Sequence, residues 1–143
     1  MIHFLLMVNK LGQTRISQYF VEIPAKERIT LAGELVRKCL ARGQEKSSFI
    51  THQNYKIVYR RYAHLYFIIG LDKDEPNEQE YYDFIHNIVE TFDKYFESVN
   101  ELDIMYNIEK VHYILQEMIQ DGEIIENNKK IILSPLYALD KAY

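Results

Sequence analysis

What this chain has little of narrows its chemistry before any motif is read. It has no tryptophan, one cysteine, three prolines and five glycines in 143 residues. The lone Cys39 excludes an internal disulfide and suits a reducing compartment. It falls among apolar residues at helical spacing, where a buried, inert thiol is expected rather than a nucleophile. The glycines at 12, 33, 43, 70 and 122 are scattered, so they form no phosphate-cradling loop. Net charge is −4 with no basic run, which argues against direct binding of nucleic acid or an anionic membrane. His3, His52, His64, His86 and His112 have no second His or Cys at metal-ligand spacing. His86 and Glu90, four apart, read as a contact on a helix surface. Ser, Thr, His and Asp make no nucleophile motif. No metal, cofactor or catalytic group is expected, and an enzyme is not the reading. The opening MIHFLLMVNK is too short to span a membrane and lacks a basic start and a small-residue cleavage site. It reads as the buried first strand of a soluble cytosolic protein.

What is present is apolar and aromatic. Hydrophobic residues make up 48%, with twelve Tyr and seven Phe, enough for one sizeable core in a single domain over 1–143. Tyr suits interfaces because its body is apolar and its tip polar; a codon bias toward Tyr, Ile, Lys and Asn accounts for it equally well. Residues 2–9 and 14–22 read as strands joined at Leu11-Gly12-Gln13. Pro24 opens a helix carrying Ile29, Ala32, Leu35, Val36, Cys39 and Leu40, stopped at Gly43. Strands follow at about 47–52, 54–60 and 63–71, the last apolar on both faces. The clearest helix carries Tyr81, Ile85, Ile88, Val89, Phe92, Tyr95, Phe96 and Val99. A further helix begins near Glu101, carries Ile104, Ile108, Val111, Leu115 and Met118, and stops at Asp121-Gly122. A last segment, 128–140, is interrupted by Pro135. The order ββαβββαα, plus a tail, predicts an α+β fold with helices on both sides of an antiparallel sheet.

The stretch YKIVYRRYAHLYFIIGL, residues 55 to 71, raises a question of its own. Two adjacent arginines stand in what reads as a turn between apolar runs, next to the small Ala63 and close to Leu65. The turn is either merely solvated or part of a site for an acidic, apolar peptide. Four stretches bear on the choice: MIHFLLMVNKLGQTRISQYF, NYKIVYRRYAHLYFIIGLD, IHNIVETFDKYFESVNELDIMYN and VHYILQEMI followed by DGEIIE. In this order, nearly end to end, they resemble the sigma (small) subunits of the heterotetrameric clathrin-adaptor complexes. Within that family MVNKLGQTR, ELDIMYN, KVHYILQEM and ILSPLYALDK look most like the branch serving adaptor complex 4.

The resemblance implies a longin, SNARE-like fold: a five-stranded antiparallel sheet flanked by helices. It implies no catalysis, and assembly with one large adaptin subunit directly and with a second large and a medium subunit in the complex. Membrane contact is implied only through that complex, a coat selecting cargo at the trans-Golgi network or endosomes. In related sigma subunits the small chain forms much of a pocket for acidic dileucine motifs, an Asp or Glu four residues before Leu-Leu or Leu-Ile. Carried over, the apolar wall is Ala63, Leu65, Val89, Val99, Leu102 and Ile104, and Arg15 faces the acidic residue. Ser98 stands where clathrin-linked relatives carry Asn, and His64 replaces a small residue beside the pocket. On this reading Arg60 and Arg61 flank the wall and turn toward the large subunit. The rival readings are a coatomer-type small subunit, a free-standing longin trafficking regulator, or a small α+β enzyme; the last needs a convergent polar cluster.

Overall fold

The computed structural model describes residues 1–42, 48–62 and 64–142. Within them, a strand that is apolar on both faces must be covered on both, and two of the three inner strands of the sheet are. β1 (Ile2–Asn9) and β5 (Leu65–Asp72) lie at the centre of an antiparallel sheet. β2 (Thr14–Tyr19) flanks β1, while β4 (Tyr55–Tyr62) and then β3 (Phe49–His52) flank β5. Alternate side chains point to opposite faces. Phe4, Leu6, Val8 and Ile68 pack under α1 (Ala25–Arg42) through Leu31, Leu35, Val36 and Cys39. Met7, Phe67, Ile69 and Leu71 pack on the other face against α2 (Glu78–Phe96), which contributes Phe84, Ile85, Ile88 and Phe92. Gly70 belongs to this logic: the Phe4 ring lies where a Cβ on residue 70 would stand.

Four local features differ from the sequence reading. β4 runs to Tyr62, so Arg60 and Arg61 are strand residues paired with Phe67 and Tyr66, not turn residues. The helix expected from Glu101 is two, α3 (Glu101–Tyr106) and α4 (Ile108–Met118). Asn107 breaks it at φ −129°, its side-chain amide donating to the Asp103 carbonyl at 2.8 Å, the competition with backbone pairing that Asn makes easily. Asp121 and Gly122 do not merely stop a helix. They are the central residues of a hairpin joining β6 (Ile119–Gln120) to β7 (Glu123–Ile124), at φ 51° and 81°. Both angles are left-handed, as the tightest hairpin turn requires. Finally, α5 (Lys129–Lys141) continues through Pro135. A proline inside a helix costs about 3 kcal/mol. Burial of Ile132, Leu133 and Leu136 offsets it, at roughly 1.5–3 kcal/mol each. The Gly43 stop and the first residue of the strand expected at 47–52 lie outside the described residues.

Candidate functional site

A cleft of about 440 Å³ opens where the β4–β5 end of the sheet meets the junction of α2 and α3. That size falls in the range of ordinary ligand sites. The junction is built by local hydrogen bonds. Past α2 the chain turns sharply, with Glu97 and Ser98 both left-handed at φ 55° and 76°. The Asp93 carbonyl accepts the Ser98 N–H at 3.2 Å, and its carboxylate accepts the Val99 N–H at 2.8 Å. Asn100 then caps α3: its side chain accepts the Asp103 N–H at 2.9 Å, and Asp103 accepts the Asn100 N–H at 3.1 Å. These ties carry Val99, Glu101 and Leu102 across from β5.

Leu65, Val89, Val99 and Leu102 come together on the cleft wall, beside Tyr62, Phe67, Asp93, Asn100 and Glu101. His64 also lines it. Leu102 is 58% exposed, an uncovered apolar side chain at the mouth. Ile104 is fully buried within the core that includes Leu65 and Val89, so it stands beneath the wall rather than on it. Ser98 is exposed on the turn and is not a lining residue. Ala63 lies outside the described residues. Arg15, on β2, reaches the cleft through Glu101, its Nε donating to Oε1 at 2.7 Å.

The lining residues missed by sequence reasoning had partial signals. Phe67 is two along from Leu65 on one strand face, and Asp93 is four along from Val89 on one helix face. Tyr62 is the cross-strand partner of Leu65. Glu101 had none that tied it to Arg15, 86 residues away.

Arg60 and Arg61 part company because successive strand residues face opposite ways. Arg60 stacks over the Tyr82 ring at 4.2 Å and near the Tyr62 ring at 5.1 Å, with Nη1 donating to the Tyr82 carbonyl at 3.4 Å. It buttresses the back of Tyr62, whose ring meets Phe67 edge-on at 5.8 Å. Arg61 turns to the other face, 5.9 Å from the Tyr66 ring. Burial pushes the Tyr62 phenol up from its ordinary range, and its oxygen hydrogen-bonds His86 Nδ1 at 2.9 Å. The Arg15 guanidinium, then the Asn9 amide, hold the Glu101 carboxyl below its ordinary value, so it is anionic at neutral pH. An apolar floor, an exposed Leu at the mouth and a charged pair on one rim suit a short peptide with aliphatic anchors. Among the described residues no three of His, Cys, Asp and Glu converge as a metal site.

Comparisons with known proteins agree with this architecture. The sequence profile of the clathrin adaptor complex small chain matches residues 1–143. The AP-4 complex subunit sigma of Arabidopsis thaliana is 55% identical over 142 residues, covering 99% of each chain. The AP-4 complex subunit sigma-1 of Homo sapiens is 49% identical over 141 residues, 99% of this chain and 97% of that one. Among structures, a chain of the full-length AP-3 complex, a homology model in a stretched open conformation, superposes with a TM-score of 0.78 at 29% identity. The match covers 99% of this chain and 95% of that one.

Proposed function

The chain belongs to the clathrin adaptor complex small chain family, and from that premise we propose that its cleft receives acidic dileucine segments of membrane-protein cargo. As a small subunit of a heterotetrameric adaptor complex, with a longin-like fold, it serves vesicle-mediated protein transport. It resembles AP-4 sigma subunits along its full length. The role is non-catalytic: the chain packs against one large adaptin and, with a second large and a medium subunit, forms a core. That core acts on the cytoplasmic side of trans-Golgi network or endosomal membranes. No helix among the described residues is long and apolar enough to cross a membrane, so attachment through the complex is the economical route.

The observation that carries the cargo reading is the convergence of Leu65, Val89, Val99 and Leu102 on one cleft, with Arg15 held at its rim. Each buried leucine anchor stabilises a complex by roughly 1.5–3 kcal/mol. The test uses the complex recovered from cells on the tagged full chain. Large and medium adaptins are expected to co-purify, and an acidic dileucine peptide is expected to bind. Leu102→Asp puts a carboxylate on the exposed apolar side chain at the cleft mouth, where the fold tolerates it, and should abolish that binding while the complex still assembles. Equal affinity for wild type and Leu102→Asp refutes the cargo site and leaves the subunit role standing.

A further inference from the structure

The Arg15 guanidinium is already engaged inside the chain. Its Nε donates to Glu101 Oε1 at 2.7 Å, and its Nη2 donates to Gln13 Oε1 at 3.0 Å. Asn9 organises both acceptors. Its amide nitrogen donates to Glu101 Oε1 and to Gln13 Oε1, each at 2.8 Å. Asn9 is itself 95% buried by its 5% exposure, and its carbonyl oxygen accepts the N–H groups of Leu11 and Gln13 at 3.0 and 2.9 Å. The β1–β2 turn therefore aims the Asn9 amide, and the amide aims the carboxylate of Glu101. Glu101 is also a lining residue of the cleft, with about a quarter of its side chain exposed.

We propose that Glu101 is a resident anion competing with the acidic group of a ligand for Arg15, so that Glu101 sets how strongly the cleft prefers an acidic peptide. The proposal rests on the cargo reading above and concerns specificity at the same site. An incoming carboxylate meets a guanidinium with two of its donors in use and a like charge beside it. It must share Arg15 with Glu101 or displace it. The acidic residue then adds little to binding in the resting geometry, while the apolar anchors keep their full contribution. Anything that draws Glu101 away from Arg15 raises the selectivity for acidic ligands without altering the apolar wall.

The opposite role is equally concrete. If Glu101 only positions Arg15, removing its charge loosens the guanidinium and weakens acidic ligands. The two roles predict opposite signs. The experiment titrates two peptides onto the assembled complex: one with Glu four residues before Leu-Leu, and its Gln counterpart. Wild type is expected to favour the Glu peptide slightly. Glu101→Gln, which keeps a hydrogen-bond acceptor, is expected to tighten the Glu peptide roughly two- to fivefold and leave the Gln peptide unchanged. Arg15→Ser leaves Glu101 at the rim held by the Asn9 amide but without its cation, and should reverse the preference, so that the Gln peptide binds better. Weaker or unchanged binding of the Glu peptide to Glu101→Gln overturns the proposal while the cleft stands. Absence of binding by both peptides to wild type and variants overturns the cleft reading and this proposal with it.

Discussion

Single residues decide two properties that can be measured directly. Gly70 faces the Phe4 ring, and Phe4 is fully buried, so the ring cannot swing away to admit a methyl group. Gly70→Ala is expected to destabilise by about 1–3 kcal/mol, the usual cost of overpacking. An unchanged denaturation midpoint would show that the ring can move. Cys39 is buried under α1, and burial pushes its thiol from 9.0 up to about 12. The sign follows from proton counting. Above pH 9 the unfolded chain releases this proton and the folded chain keeps it, so stability falls as pH rises toward 12. One such group contributes a slope of up to about 1.4 kcal/mol per pH unit. Denaturant titrations at pH 8 and 10 should show Cys39→Ala losing less stability between the two than wild type. Equal losses would mean the thiol ionises in place.

At the scale of elements, the tie between β2 and α3 is an ion pair with about a quarter of each side chain exposed. Screening at such a site limits it to about 0.2–1 kcal/mol. Because Arg15 and Asn9 lower the Glu101 carboxyl, the contribution is fully present above the ordinary glutamate value of 4.5. It is lost as pH falls through the lower folded value. Denaturant midpoints of wild type and Glu101→Gln should therefore differ at pH 7 and draw together as the pH is lowered below 4.5. A difference that does not shrink on acidification would assign the effect to packing. The neighbouring α2–α3 turn shows why the cleft sits where it does. Two consecutive left-handed residues, Glu97 and Ser98, are held by the carbonyl and carboxylate of Asp93. That turn redirects the chain so that Val99 and Leu102 face β5.

On the scale of the whole molecule, large apolar side chains remain uncovered on several elements. Leu11 is 84% exposed, Ile29 76%, Tyr106 80% and Ile131 58%. A chain that leaves such surface open is expected to self-associate when produced alone and to become soluble when co-expressed with the large adaptin proposed as its partner. Light scattering is the check. A monodisperse monomer at high concentration would mean that these side chains are singly scattered and cover no partner.

The sequence by itself determined the strands and main helices, because hydrophobic period is a local property. β1 and β5 are apolar at successive positions, so helices on both faces followed. Leu65, Val89, Val99 and Leu102 were legible as one wall only through resemblance. The fold brings them together from a strand, a helix, a turn and a second helix. Other features were decided in three dimensions. The helix through Pro135 survives because Ile132, Leu133 and Leu136 are buried, which propensity cannot register. Ile104 and Leu102, two apart, differ in whether they lie beneath the cleft or at its mouth. The pairing of Arg15 with Glu101 spans 86 residues of chain. Side-chain spacing carries the period of an element but not the distance between elements. Charge pairing between elements is therefore set by tertiary packing alone.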